Sequence, residues 1–423
     1  MNDLSAEPER LHYLDGLRGI AALVVFATHL SIVIFPSIFN GLPIMSRLDY
    51  EWKLAGTPLG ILWAANFAVC IFFVMSALVL SRFYEREGDN FLAVCIRRYL
   101  RLALPILATS FFVYLLWTSG AMFNLKAQQI TQEGWLKSQY LTAAPGFWQF
   151  LSESLYQVFR VPTSEFNPAL WTMKYEMAGS VGVFALYALV PQRLLRIPVL
   201  LLCLTVLFKT YYMCFVGGIL IYEWMKLSPA IKLSLPNWVS WMLLVFGAYL
   251  GAFPYNVATP ENIWFGRMLF LDVEEWHMIG AIPLVFACVT LVPVKRFFTL
   301  APLQYLGKIS FALYLVHGPM ICSLMSFLIV SFYWPPHARA AMFLGVIAVV
   351  PATFLVAHYV AKWIDQPAVR ISVIASRYLN RISKGSFAGT EKWRPAPKVE
   401  QTGSRRNKSV KEPIAVEAPA SGL

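Results

Sequence analysis

Ten apolar segments recur along this chain of 423 residues. A helix needs about 20 apolar residues to cross roughly 30 Å of hydrocarbon, and several of the segments reach that length. The chain is 58% hydrophobic and only 14% charged, which is typical of a membrane protein. We therefore predict an all-α polytopic membrane protein with about ten transmembrane helices. The predicted spans are 17–35, 59–80, 102–122, 169–190, 197–208, 211–222, 239–253, 277–292, 309–332 and 340–363.

The distribution of Arg and Lys residues predicts the orientation of these spans. If the N-terminus is cytoplasmic, the cytoplasmic loops carry more basic residues than the outer loops, as is usual in membrane proteins. An even number of spans then makes the C-terminus cytoplasmic as well. The spans 197–208 and 211–222 are short and close together, so a single re-entrant hairpin is the alternative there.

The net charge of +12 comes largely from the last part of the chain. We expect this charge to attract anionic membrane lipids, and we expect no nucleic acid partner. Two regions are predicted, a transmembrane domain over 1–369 and a basic, mostly disordered cytoplasmic tail over 370–423. Alternating basic and apolar residues at the start of the tail predict an interfacial helix. No cysteine or histidine spacing predicts a metal site.

The first apolar segment carries Arg18 near its start and His29 within it. Eleven steps of about 100° bring the two residues to within about 20° of the same helix face, roughly 16 Å apart along the axis. An ionisable residue inside a span is costly and is usually functional. The structural alternative is a histidine that is hydrogen-bonded to a neighbouring helix.

Arg98 and Arg101 lie three residues apart, just before the third span. Their guanidinium groups therefore share one helix face, and paired guanidinium groups suit phosphate binding. A basic cluster that only sets the orientation is the alternative. Lys174 and Glu176 open the fourth span, and because they are two residues apart, we expect each to find its partner on another helix.

A second intramembrane histidine, His317, lies in the ninth span beside a Gly-Pro step that is expected to kink the helix. Counting residues from the ends of the spans places His29, Glu176 and His317 near the middle of the bilayer. The three side chains therefore predict a buried polar chamber. The other histidines are interpreted as surface or structural residues: His12, His277, His337 and His358.

Together these patterns resemble the membrane acyltransferase type 3 family. Its motifs Arg-x10-His, Phe-Phe-x-x-Ser-Gly, Arg-x-x-Arg, Leu-Trp-x4-Glu and Ser-x3-Tyr-Leu-x-His occur here in order. They lie at 18–29, 72–77, 98–101, 170–176 and 310–317, with Ala77 in place of the glycine. The sequence around Glu176 is similar to the fungal branch of the family.

The resemblance implies an O-acyltransferase that moves an acyl group, expected to be acetyl, from acyl-CoA to a hydroxyl group. The acceptor is expected to be a small molecule, a lipid or a sugar, and no permanently bound cofactor is expected. In this interpretation Arg18, Arg98 and Arg101 bind the CoA phosphates. The pantetheine arm then follows the face of the first helix from Arg18 to His29.

His29 is the expected general base for the acceptor hydroxyl, and Glu176 is expected to orient it as a carboxylate does in a triad. A covalent acyl-histidine is the alternative. The residues expected to bind the acceptor are His317, Tyr314, Trp171 and Lys174.

A proton-coupled secondary transporter is an alternative from a different class, because transporters also use intramembrane His and Glu residues. The lack of internal repeats in the sequence disfavours it. The expected location is a plasma membrane or a membrane of the endoplasmic reticulum type.

Overall fold

A computed structural model describes residues 11–383, except 88–89, 142, 231–234, 258 and 333–337. The described residues form helices and loops, without a strand. The part of the tail predicted to be disordered, from residue 389 onward, lies outside them. The α-helices are α1 (His12–Ile34), α2 (Ser37–Asn40), α3 (Ala65–Glu87), α4 (Phe91–Thr118), α5 (Asn124–Thr131), α6 (Gly134–Lys137), α7 (Phe147–Leu155), α8 (Met173–Leu189), α9 (Arg193–Val206), α10 (Tyr212–Ala230), α11 (Asn237–Gly251), α12 (Val273–Thr290), α13 (Val292–Phe298), α14 (Ala301–Met320), α15 (Ser326–Phe332), α16 (Ala338–Val360) and α17 (Gln366–Ser383).

Each of the ten predicted spans overlaps a helix, but the predicted count of ten is not confirmed. Within the described part of the chain, six helical segments are long and apolar enough to cross a membrane. They are His12–Ile34, Ala65–Arg86, Phe91–Thr118, Val273–Thr290, Ala301–Phe332 and Met342–Ser383. The helices α8, α9 and α11 have 17, 14 and 15 residues, which is short for a span. α10 is longer but carries charged residues.

The helices α1 and α14 pack against each other more extensively than any other pair within the described residues. Two glycines allow their backbones to approach closely. A Cβ atom on Gly19 would lie 2.5 Å from the backbone nitrogen of Gly307, closer than real Cβ contacts allow. Both helices run in the same direction from this contact, so ten residues further along each of them lie His29 and His317. An equal rise of roughly 15 Å brings both histidines to the same depth.

A buried ionic cluster connects the four helices α3, α8, α9 and α10 near the C-terminal end of α3. Arg196 of α9 forms ion pairs with Glu223 of α10 and Glu85 of α3, and Tyr187 of α8 donates a hydrogen bond to Glu223. Arg196 is 3% exposed and Glu223 is 1% exposed, so each charge is compensated inside the protein. The cluster therefore links α3, α8, α9 and α10.

The Gly-Pro step after His317 disturbs the helix locally, as its sequence predicts. Pro319 has no backbone N–H group, and directly after it Ile321–Met325 form a π-helical turn before α15 begins. The rigid part of α14 therefore ends just beyond the second histidine.

Candidate active site

The structure brings the two intramembrane histidines together. The ring centroids of His29 and His317 are 5.1 Å apart. The Nδ1 atom of His29 lies 2.9 Å from the carbonyl oxygen of Val25, and that of His317 lies 3.2 Å from the carbonyl oxygen of Leu313. Because a carbonyl oxygen only accepts, each Nδ1 carries the hydrogen, and each Nε2 keeps its lone pair. In the neutral form, each ring is therefore the tautomer with a basic Nε2.

Aromatic rings surround this histidine pair. The ring of Trp135, in the short helix α6, lies 5.0 Å from the ring of His29. The rings of Phe26 and Tyr314 lie 6.3 Å and 5.9 Å from that of His317. Trp135 was missed in the sequence because it lies in a loop region outside every motif. The histidine pair therefore lies among aromatic side chains contributed by α1, α6 and α14.

Tyr314 fixes the segment that leads into α8. Its hydroxyl group donates a 2.5 Å hydrogen bond to the carbonyl oxygen of Ala169 and lies 2.8 Å from Oγ1 of Thr172. The side-chain amide of Asn167 donates a 2.6 Å hydrogen bond to the carbonyl oxygen of Leu315. The 3₁₀ turn Pro168–Thr172, which carries Trp171, is therefore held against α14.

Glu176 has its partners on other helices, as predicted, but His29 is not one of them. The carboxylate forms an ion pair with Arg98 of α4 and accepts a 2.5 Å hydrogen bond from Ser76 of α3. Arg98 also donates hydrogen bonds to Ser180 at 2.9 Å and to Ser76 at 3.1 Å. Among the described contacts the Glu176 carboxylate is therefore bound to Arg98 and Ser76, and the predicted contact with His29 is not seen. The reason is that Arg98 offers a full opposite charge in the same low-dielectric layer.

The three arginines assigned to phosphate binding lie within electrostatic range of one another. Arg101 interacts with Arg98, with Arg18 and with the carboxylate of Asp365. Arg18 and Arg101 lie toward the end of the bundle where α1 and α4 begin. Arg98 points inward to Glu176, so its charge is already compensated by the protein.

Lys174 does not find the partner predicted on another helix within the described residues. Its Nζ atom lies 5.8 Å from the ring centroid of Tyr175, the next residue on the same helix. Lys174 and Glu176 point in different directions, as their separation of two residues predicts. Lys174 lies near Tyr175, whereas Glu176 is paired with Arg98.

A cavity of about 430 Å³ lies beside His29. Of the residues expected to bind the acceptor, Trp171 and Tyr314 line this cavity, whereas His317 and Lys174 do not. His317 is 1% exposed, and its ring contacts that of His29, which does line the cavity. Other lining residues, which the sequence interpretation missed, are Asn66, Glu133, Trp135, Tyr255 and His277.

His277 was interpreted as a surface or structural residue, and the structure shows that it is 1% exposed. Its Nε2 atom lies 3.0 Å from the carbonyl oxygen of Phe253, and its Nδ1 atom lies 3.2 Å from the side-chain amide of Asn66. Asn66 also donates a 2.5 Å hydrogen bond to the Tyr211 hydroxyl. The wall formed by Asn66 and His277 is therefore polar and preorganised. Its signal in the sequence, one histidine near the start of an apolar run, is weak.

Glu133 contributes an acidic group to the same cavity. One carboxylate oxygen accepts a 2.5 Å hydrogen bond from the backbone N–H of Trp135 and so caps α6. Burial raises the pKa of Glu133 above its ordinary value, against the effect of the backbone hydrogen bonds. The carboxyl group of Glu133 and the indole ring of Trp135 thus line one side of the cavity.

The chain belongs to the family of the acyltransferase domain, which matches residues 11–361. It is similar to acyltransferase clz18 of Cochliobolus lunatus, with 22% identity over 74% of this chain and 82% of that protein. It is also similar to acyltransferase R4 of a Phoma species, with 22% identity over 76% of this chain and 84% of the relative. The O-acetyltransferase PaAT-1 of Phomopsis amygdali is 25% identical over 89% of this chain and 87% of its own length. No solved structure matches the chain.

Membership of this family decides between the acyltransferase and the transporter, the two classes that the sequence left open. The protein is an enzyme of the O-acyltransferase type in the membrane, as the motifs predicted, and the transporter alternative is set aside. The similarity to fungal proteins agrees with the branch inferred from the residues around Glu176.

Proposed function

We propose that the protein transfers an acyl group from acyl-CoA to a hydroxyl group of a small molecule bound in the cavity beside His29. The observation that carries the proposal is the position of His29. It lines the cavity, and its Nδ1 atom is bonded to the Val25 carbonyl group, so the basic Nε2 is left for the acceptor. A general base must lie within hydrogen-bond reach of the proton that it removes.

In the proposed reaction the acceptor oxygen attacks the thioester carbonyl carbon while His29 Nε2 takes the hydroxyl proton. The C–S bond breaks, and the proton returns to the CoA sulfur, which leaves as a thiol. His317 donates its Nδ1 hydrogen to Leu313 and faces His29, so its proposed role is to hold the His29 ring rather than to contact the acceptor. The alternative route is that Nε2 of His29 itself attacks the thioester and forms a covalent acyl-histidine.

The donor is proposed to enter from the end of the bundle that carries Arg18 and Arg101. Guanidinium groups bind phosphates well, and the distance of roughly 16 Å along α1 from Arg18 to His29 suits an extended uncharged arm. Because Arg98 is paired with Glu176, we assign the phosphates mainly to Arg18 and Arg101. Glu176 is assigned to the placement of Arg98 rather than to that of His29.

The size and chemistry of the cavity support a small acceptor. A cavity of about 430 Å³ lies within the usual range for small-molecule sites. Trp135, Trp171 and Tyr314 offer flat apolar surfaces, and Asn66 offers a polar contact on the wall it forms with His277. The name of the Phomopsis amygdali relative, an O-acetyltransferase, supports acetyl as the group transferred.

The orientation expected from charge is retained as part of the proposal. Asp365, just before α17, and Arg18 of α1 both lie within electrostatic range of Arg101 of α4, and α17 packs against α4. We assign the end of the bundle that carries Arg18 and Arg101 to the cytoplasm, where acyl-CoA is present, in a plasma membrane or a membrane of the endoplasmic reticulum type.

Deletion of the gene in its own organism tests the proposed function. The expected result is loss of one metabolite and accumulation of a precursor that is lighter by one acyl group. Restoring the wild-type gene is expected to return the product, whereas the His29→Ala gene is expected to leave the precursor. An unchanged metabolite profile after deletion, or full complementation by His29→Ala, would contradict the proposal.

A further inference from the structure

The helix α17 (Gln366–Ser383) has one face of small residues that is covered by the protein. Ala368, Ser372 and Ser376 recur every four residues and are buried. This spacing places them on one side of the helix, and α17 packs against α4. Small side chains allow the two helices to approach closely. Among the described residues, several other side chains of α17 are exposed.

A stripe of large apolar side chains lies on the uncovered side. Ile371, Ile374, Tyr378 and Ile382 are 49%, 66%, 60% and 42% exposed. At about 100° per residue they fall within an arc of about 80°. A continuous apolar stripe of this kind is unfavourable in water and marks a surface that contacts something apolar.

A stripe of three exposed arginines runs beside the apolar stripe. Arg370, Arg377 and Arg381 fall within an arc of about 40°, and the helix contains no Asp or Glu. An amphipathic helix with apolar side chains on one side and arginines beside them is typical of a helix at a membrane surface. The arginines complement the negative charge of lipid phosphates and of anionic headgroups.

The helix α17 begins at the end of the bundle that carries a concentration of basic residues. Asp365 precedes it directly and lies near Arg101 and Arg18, at the end of the bundle where α1 and α4 begin. The exposed basic residues Arg296 and Lys308 lie in α13 and α14, next to the start of α1. A concentration of basic residues at one end of a membrane protein marks the side that faces the anionic leaflet.

We propose that the exposed face of α17 binds the surface of an anionic lipid leaflet. The arginine stripe contacts the lipid phosphates and headgroups, and the apolar stripe reaches the boundary of the acyl chains. This contact holds α17 against α4, the helix that carries Arg98 and Arg101. The proposal concerns the lipid contact and does not depend on the reaction that the enzyme catalyses.

Hydrogen exchange of the full-length protein in lipid nanodiscs tests the proposal. One set of nanodiscs contains phosphatidylcholine alone, and the other contains phosphatidylcholine mixed with phosphatidylglycerol. In the anionic nanodiscs the amide groups of peptides from 370–383 are expected to exchange about tenfold more slowly, because each arginine gains interaction with the charged surface. The variant Arg370→Gln/Arg377→Gln/Arg381→Gln is expected to lose this difference between the lipids.

A matched variant controls for the loss of three charges at the same end of the protein. Lys295→Gln/Arg296→Gln/Lys308→Gln changes the net charge equally but leaves α17 intact, so the slower exchange in anionic nanodiscs should persist. The variant Ile371→Ser/Ile374→Ser is expected to exchange faster in both lipids, because the apolar contact is lost. Equal exchange of 370–383 in the two lipids, or an equal loss of the difference in both triple variants, would overturn the proposal.

Discussion

The ion pair between Arg98 and Glu176 predicts a strong energetic coupling between these two side chains. Their side chains are only 12% and 13% exposed. Removal of one partner from a buried pair leaves the other charge uncompensated and costs about 3–5 kcal/mol of unfolding free energy. We therefore expect Glu176→Gln and Arg98→Gln each to destabilise by about 3 kcal/mol. The double variant is expected to cost less than the sum, by about 2 kcal/mol.

Reversible unfolding in mixed detergent micelles measures the four free energies of this cycle. Arg97→Gln is the matched control, because Arg97 lies on the same helix as Arg98 and its guanidinium group lies 4.4 Å from the ring centroid of Phe83 on α3. Arg97→Gln and Glu176→Gln should therefore add to within about 0.5 kcal/mol. If Arg98→Gln and Glu176→Gln were equally additive, the carboxylate would have another partner, and the reasoning about Glu176 would be refuted.

Two further predictions follow from the contacts around the histidine pair. A Cβ atom on Gly307 would lie 2.2 Å from the carbonyl oxygen of Asp15, so Gly307→Ala must push α1 and α14 apart. In unfolding experiments Gly307→Ala should lower the unfolding free energy by about 1–3 kcal/mol, and in activity assays it should slow product formation about 100-fold. The control Gly182→Ala, with nothing within 4 Å of the new atom, should change neither quantity. The pKa of Glu133 is raised in the folded protein, so the folded state disfavours the ionised carboxylate. The unfolding free energy of the wild type therefore falls as the pH rises from the unfolded-state pKa of Glu133 through its folded-state pKa. Glu133→Gln should therefore become more stable relative to the wild type over that rise, and a constant difference in unfolding temperature across the pH range would contradict the assignment.

The sequence predicts the main helical segments well. Each predicted apolar run overlaps a helix, and the shared face of Arg18 and His29 follows directly from helical geometry. The meeting of His29 with His317 also follows in part, because both lie a similar distance above the same membrane surface. These properties depend on local periodicity and on the thickness of the bilayer, which act on every sequence in the same way.

The side-chain partners could not be predicted in the same way. Glu176 was expected beside His29, but Arg98 lies closer on the neighbouring helix, and only the packing of α3, α4 and α8 decides this. The burial of His277 and the contact of the Trp135 ring with His29 likewise depend on contacts between distant segments. The predicted number of spans is not confirmed, for a related reason. Short helices inside a protein are as apolar as those in lipid, so hydropathy alone does not separate them.

The central claim is that His29 transfers the proton while other residues bind the donor. The direct measurement is the rate of acyl transfer by the purified protein in nanodiscs, with acetyl-CoA and the precursor identified from the deletion strain, for the wild type and His29→Ala. The variant is expected to be slower by about 10²–10⁴-fold, while acetyl-CoA still protects it from thermal unfolding. A His29→Ala enzyme that transfers acetyl at a rate close to that of the wild type would contradict the account.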